Sequence, residues 1–115
     1  PVAFITYAGS NGAKERYKGG RPISKTILTS TPGIDAAIDD DMLNIDFQVL
    51  GFETVFFDQM GNAIPEVSQG ASFSQRQKDQ FKRLSRGKRF YISRIRAKGP
   101  DGIERVLSPV EVIVN

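Results

Sequence analysis

Alternation of apolar and polar residues with a period of two is the feature that most constrains the fold of this chain. It is clearest in residues 43–49, where every second residue is apolar and Asn44, Asp46 and Gln48 lie between. This period buries one face of a β-strand and leaves the other in water. Similar strand patterns occupy residues 1–7, 52–57, 63–69, 88–97 and 104–114. The intervening segments are too short for the helical crossovers that join parallel strands, so mostly antiparallel pairing is expected.

Several positions interrupt these strands in ways that predict local irregularities. Gly51 breaks the first alternation, as a glycine at a bulge often does. The apolar phase also shifts between Ile92 and Ile95, which predicts a bulge near Ser93 and Arg94. Pro65 restricts residues 63–69 to an edge strand. Residues 8–20 contain four glycines and predict a mobile loop or a poorly ordered hairpin.

One helix is predicted shortly after the middle of the chain. Ser74 and Gln77 have the spacing of a capping box, and Phe73 lies at the hydrophobic-staple position before them. Phe81 and Leu84 supply a buried stripe. Single helical turns are also expected in residues 21–28, capped by Ser24, and in residues 34–42. Together these patterns predict a mainly β domain, either a sandwich or a barrel-like fold, with one short α-helix.

Charge is segregated along the chain. Ten of the sixteen Lys and Arg residues lie in residues 76–98, together with one acid, Asp79. Residues 26–75 contain eight acids and no base. Net charge is only +3, so the distribution of charge is more informative than its sum. The chain begins at Pro1 without Met, and we interpret residues 1–115 as one domain cut from a longer protein.

Composition argues against most catalytic and metal-binding classes. The chain has neither Cys nor His, which removes thiolate ligands, the commonest metal ligand and the commonest general base. Asp35 and residues 39–41 form an acidic group, but they lack the alternating ligands and central glycine of a calcium loop. We therefore predict no catalytic residue, no metal site and no cofactor. Nucleic acid is also not expected as a partner, because the basic segment lacks the RNA-recognition consensus.

Recognition by a surface is the remaining interpretation. Arg94 and Arg96 are predicted on one strand face with Lys88, and these three residues are the candidate partner-binding site. The structural alternative is that this strand pairs with the acidic strand around Asp46. Cross-strand charge pairs would then stabilise the sheet by roughly 0.2–1 kcal/mol each.

The segment that follows this basic strand resembles a known family. Residues 97–102 read Ala-Lys-Gly-Pro-Asp-Gly, with Gln77-Lys78 and Gly87 upstream and Arg105 and an apolar strand at residues 110–114 downstream. Pro1-Val2-Ala3, Gly19-Gly20, Ile23-Ser24-Lys25 and the apolar positions Phe47, Val49 and Phe52 also fit the pattern. Over nearly its whole length the chain resembles the C-terminal periplasmic domain of the gliding motility and type IX secretion protein GldM, called PorM in non-gliding bacteria.

This resemblance implies an immunoglobulin-like antiparallel β-sandwich without an active site. The full-length protein would be a homodimer, anchored in the inner membrane by an N-terminal helix and extending through the periplasm. It would link the inner-membrane motor to outer-membrane-associated ring proteins of the GldK/GldN or PorK/PorN type. No membrane contact by residues 1–115 is implied.

A protein of another class remains an alternative, namely an extracellular adhesin or carbohydrate-binding β-sandwich module. Such modules usually expose Trp or Tyr as stacking platforms for sugars. This chain has no Trp and three Tyr residues, which favours the first interpretation.

Overall fold

A computed structural model describes residues 1–9, 11–39 and 44–115 of the chain. The described residues form nine β-strands and two short α-helices. The strands are β1 (Val2–Ala8), β2 (Lys14–Tyr17), β3 (Pro22–Ile23), β4 (Asp35–Asp39), β5 (Asn44–Phe57), β6 (Ala63–Gln69), β7 (Arg89–Lys98), β8 (Glu104–Leu107) and β9 (Val110–Val114). The helices are α1 (Lys25–Ser30) and α2 (Gln75–Arg83). Neither helix is long and apolar enough to cross a membrane within the described ranges.

Strand β5 is the longest element, with 14 residues, and it joins two groups of strands. Its first residues pair with β4, which continues the sheet through β1 to β2. Its later residues pair with β6 on one edge and β7 on the other, and β7 continues through β9 to β3. All of these pairs are antiparallel except that between β3 and β9. The predicted mainly β, sandwich-like fold is therefore confirmed.

Two compensating bulges interrupt the pairing between β5 and β7. The register shifts on each side of the pair formed by Gly51 and Arg96, and it returns to its first value at Glu53 and Ser93. An extra residue on one strand kinks the ladder, and an extra residue on the other restores the alignment. Strands β8 and β9 both pair with the other edge of β7, and they do so in the same register. The gap in the chain between β8 and β9 lies opposite Ser93 and Arg94. The bulges expected at Gly51 and near Arg94 are thus both present.

The other local predictions were less accurate. Residues 34–42 were predicted to form a helical turn, and residues 40–42 of this segment lie outside the described residues. Asp35–Asp39 form strand β4 instead of a turn, because β1 and β5 supply backbone partners on both sides of Ala36. Helix α1 begins at Lys25, and the Ser24 side chain does not cap it. Of the two alternatives for residues 8–20, the hairpin is the one observed, since residues 14–17 pair with β1. The edge strand at Ala63–Gln69 is as predicted.

Five phenylalanines hold α2 against the sheet. Phe56 stacks on Phe90 with ring centroids 4.9 Å apart, and Phe81 of the helix stacks on Phe90 at 5.1 Å. Phe73 meets Phe81 edge-on at 4.8 Å and Phe52 at 5.6 Å. Aromatic pairs at these distances add about 0.5–1.5 kcal/mol each beyond the burial of their area. The position of α2 is therefore fixed by the same strands that carry the bulges.

The capping box of α2 also connects the helix to an edge strand. The Gln77 amide nitrogen of the backbone donates to Ser74 Oγ at 3.2 Å, and Gln77 Oε1 accepts from the Ser74 backbone N–H at 2.9 Å. Gln77 Nε2 then donates to the Glu66 carbonyl oxygen of β6 at 2.9 Å. Because the Gln77 side chain is fully buried, every one of these bonds replaces a lost contact with water.

We expect Gln77→Ala to destabilise the protein by about 2–3 kcal/mol, since it leaves the Glu66 carbonyl and the Ser74 N–H without these partners. The matched control is Gln75→Ala in the same helix, whose exposed side chain bonds to Asp79 and to no other described residue. Its loss should change stability by roughly 0.5 kcal/mol or less. Urea unfolding followed by circular dichroism measures both, and equal losses in the two variants would contradict this account.

Tyr17 is a second buried polar connection, between the β1–β2 hairpin and β9. Its hydroxyl donates to the Arg21 carbonyl oxygen and accepts from the Ile113 backbone N–H at 3.2 Å. The residue is completely buried. Burial raises the pKa of the Tyr17 phenol above its ordinary value of 10.0, although the Ile113 hydrogen bond acts in the opposite direction. Folding therefore favours the neutral phenol.

Replacement of Tyr17 by Phe should cost about 1–3 kcal/mol near neutral pH, because the Ile113 N–H loses its acceptor. A raised pKa gives stability that is complete below the ordinary pKa and is lost as pH rises through the folded pKa. The difference between wild type and Tyr17→Phe should therefore shrink above pH ~10. Urea titrations at neutral and strongly alkaline pH measure this difference. Tyr7→Phe serves as control, and a difference that is constant with pH would refute the proposed protonation linkage.

Candidate protein-interaction surface

Strands β6, β5, β7 and β8 present one exposed sheet face. Cross-strand register places Val67, Glu53 and Ser93 in one row across this face. The next row contains Gln69, Gly51, Arg96 and Val106. Directly opposed residues in antiparallel strands point to the same side of the sheet. These rows, together with Arg94, are called the bulge face below.

The two bulges shape the centre of the bulge face. Arg94 has a φ of 49°, a left-handed conformation that residues with a Cβ seldom adopt. This conformation turns the Arg94 side chain outward, where it is 83% exposed. Gly51 lies beneath Arg96, and a Cβ at Gly51 would come within 2.8 Å of Arg96 Nη2. The missing side chain of Gly51 therefore provides the space that the Arg96 guanidinium occupies.

Each arginine has one acidic neighbour on the same face. Arg94 Nε lies 3.9 Å from Glu53 Oε2, and Arg96 Nη1 lies 3.2 Å from Glu104 Oε1. The Glu53 side chain is 18% exposed, whereas those of Arg96 and Glu104 are about half exposed at 48% and 50%. Exposed pairs of this kind contribute roughly 0–1 kcal/mol each. Both guanidinium groups thus retain donors that can contact a second molecule.

Apolar side chains flank the two arginines. Val67 is 64% exposed and Val106 is 74% exposed, on either side of Arg96. A shallow groove of about 200 Å³ lies beside Val67, and Glu53, Gln69 and both arginines line it. Val106 lies next to Arg96 on the neighbouring strand β8. Arginine beside apolar groups, in a groove without a deep cavity, is typical of surfaces that bind proteins.

The structure brings together two of the three predicted site residues. Arg94 and Arg96 both line the groove of the bulge face. Lys88 lines a different groove, beside α2, because the bulge reverses the alternation along β7. Lys88 has the same parity as Phe90, whose side chain is buried, whereas Arg96 lies on the opposite, exposed face. The partner-binding role of all three residues stays a prediction.

The alternative based on pairing with the Asp46 strand is partly right. Strand β7 does pair with β5, but Asp46 lies opposite Ala37 of β4. The acids that meet the two arginines are instead Glu53 and Glu104. The roles of Val67, Val106 and Gly51 were missed. The sequence does show that Val67 and Val106 are apolar residues at outward-facing positions of short strands. Their place beside the arginines depends on the register of those strands, which the sequence does not specify.

Other carboxylates of the described structure hold strands and turns together. Asp35 Oδ2 accepts a hydrogen bond from Thr6 Oγ1 at 2.8 Å. The backbone N–H of Asn62 holds the pKa of the Asp58 carboxyl below its ordinary value, and the Arg105 guanidinium does the same for the pKa of Asp101. Residues 40 and 41 of the acidic group lie outside the described residues. Within the described ranges, no group of three or more acids could hold a metal ion.

The Gly51→Ala substitution tests whether Gly51 shapes the bulge face, because it should displace Arg96 while the protein stays folded. The added Cβ meets the flexible end of Arg96, which can move away, and lies 3.3 Å from the Ser68 carbonyl oxygen, which must shift slightly. We expect these contacts to lower the free energy of unfolding by about 1 kcal/mol or less. The Arg96 guanidinium should nevertheless leave its position over β5. Side-chain NMR of the arginine Nε–Hε groups, with urea unfolding, measures the two effects. An unchanged Arg96 signal would show that Gly51 does not position it.

Comparison with known protein families gives one match. The family described as the GldM C-terminal domain matches residues 1–115, the whole chain. The residues that carried the resemblance, including the turn at residues 99–102, lie within this match. A search of the curated proteins finds no match.

Proposed function

This chain belongs to the GldM C-terminal domain family, and from that membership we propose that it is a non-catalytic interaction domain that links two membranes. The family indicates a component of the gliding motility and type IX secretion machinery. In this proposal the domain lies in the periplasm, at the outer end of a homodimeric protein whose N-terminal helix is anchored in the inner membrane. It connects the inner-membrane motor to the outer-membrane-associated ring, whose proteins are of the GldK/GldN or PorK/PorN type.

The bulge face is the surface that we assign to this contact. Its support is the groove that Arg94 and Arg96 line with the exposed Val67. Exposed Val106 lies next to Arg96, and Gly51 lies beneath the Arg96 guanidinium. Such a face offers several charged donors beside apolar area, which suits recognition of another protein. Catalysis is not part of the proposal, since the chain lacks Cys and His and the perturbed carboxyls Asp58 and Asp101 are engaged in turns.

The aromatic residues argue against the carbohydrate-binding alternative. Tyr17 is fully buried, and Tyr7 and Tyr91 are half-buried. The Tyr91 hydroxyl is bonded to Glu111 Oε2 at 3.2 Å. A sugar-stacking platform needs an open aromatic face, and in the described part of the chain no tyrosine provides a fully exposed one.

Binding to the ring proteins tests the proposal. We expect Arg94→Gln with Arg96→Gln to weaken binding by about tenfold or more, because charged groups at an interface contribute both to attraction and to hydrogen bonding. The charge-reversed pair, Arg94→Glu with Arg96→Glu, should bind still more weakly and remain folded. Isothermal titration calorimetry at low and high salt measures affinity, and circular dichroism verifies folding.

The matched control is Arg76→Gln with Lys78→Gln, which removes the same charge from α2, away from the bulge face. Wild-type affinity in the Arg94/Arg96 variants would sink the assignment of this surface. Failure of the wild-type protein to bind any ring protein, as a full-length dimer, would sink the linking function itself.

A further inference from the structure

A wide groove lies beside α2, away from the bulge face. It has a volume of about 600 Å³ and runs between the C-terminal half of α2 and the end of the β5–β6 hairpin. This volume falls within the range of about 300–1,000 Å³ that is usual for ligand sites. We call it the helix groove.

Apolar side chains form the floor of the helix groove. Phe56 is buried there, and Ile64 and Leu84 are half-buried. Phe57 borders the groove at the end of β5, but its ring lies on the other face of the sheet, edge-on to Tyr91 at 6.1 Å. The floor can therefore receive one large apolar side chain and remove its surface from water.

Two side-chain amides of the helix groove have no hydrogen-bond partner within the described residues. Gln80 and Gln59 line it, and neither amide makes a hydrogen bond to any described group. An amide side chain offers two donors and an acceptor, which match the N–H and C=O groups of an extended peptide. The helix groove thus has side chains that could pair with a peptide backbone.

The charged groups on the rim of the helix groove that could pair with a ligand are cations. Arg83 and Lys88 lie on the rim, and neither makes an ion pair with a described residue. The acid on the rim is Asp58, whose carboxylate already accepts hydrogen bonds from the Met60 and Asn62 backbone N–H groups. A bound segment would therefore meet two uncompensated cations, for which acidic residues are the complement.

We propose that the helix groove binds an extended peptide in which a large apolar side chain lies between Asp or Glu residues. The apolar side chain would pack on Ile64 and Leu84, above the buried Phe56, and the acids would pair with Arg83 and Lys88. Concavity favours a peptide over an anionic membrane surface, because a flat bilayer cannot follow a groove whose apolar floor lies between α2 and the hairpin. This site is separate from the bulge face and does not depend on the function assigned to that face.

A titration of the whole ¹⁵N-labelled chain by NMR tests this site. The probe is a capped synthetic peptide with a central Phe and two acidic residues on each side. We expect chemical-shift changes centred on the lining residues of the helix groove. Arg83→Gln with Lys88→Gln should weaken binding by about tenfold. Replacement of the peptide Phe by Ala should weaken it by about as much.

Three controls make the result decisive. Arg76→Gln with Lys78→Gln removes equal charge from the other end of α2 and should leave the affinity within about twofold of wild type. Leu84→Ser tests the floor without changing charge and should weaken binding while the sheet stays intact by circular dichroism. Vesicles that contain phosphatidylglycerol test the membrane alternative.

Several outcomes would overturn the proposal. These are shifts centred on Arg94 and Arg96, equal affinity for the Ala-containing peptide, and absence of binding at millimolar peptide. Adsorption to the vesicles that the peptide does not displace would also overturn it, and would identify the helix groove as a membrane contact.

Discussion

The hydrogen-bonding capacity of strand β5 is the constraint on which the rest of the structure depends. Its 14 residues supply backbone partners to β4, β6 and β7, so two groups of strands share one continuous backbone. A strand that serves both groups must change which face is buried along its length. The bulge beside Gly51 makes this change, because one extra residue reverses the alternation. The exposed arginine face and the aromatic core beneath α2 are therefore two consequences of the same irregularity.

Much of the fold could be predicted from local patterns. Strict alternation identified β5, and the phase shift between Ile92 and Ile95 located the bulge in β7. The capping box of α2 was also readable, since Ser74 and Gln77 are three residues apart. Strand β4 was not, because the sequence of Asp35–Asp39 has no period of two. Its conformation is imposed by two neighbouring strands, and pairing of this kind is not encoded locally.

The candidate surface was predictable only in part, for a geometric reason. The sequence identifies Arg94 and Arg96 as a basic pair, but their relation to Lys88 depends on which side of a bulge each residue lies. Val67 and Val106 join the arginines through the register of two further strands, which a single sequence does not specify. Gly51 shows the same limit: its role depends on Arg96, 45 positions later in the chain.

The left-handed backbone conformation of Arg94 lowers local stability, and only the chemistry of the arginine side chain can compensate for this cost. Glycine or asparagine would occupy a φ of 49° with less strain, and drift toward greater stability would replace the arginine with one of them. An arginine retained here across relatives would record a demand that stability does not impose. The residue at position 94 in other family members thus indicates whether selection acts on the arginine side chain. Relatives with glycine at this position would be those in which the arginine is no longer needed.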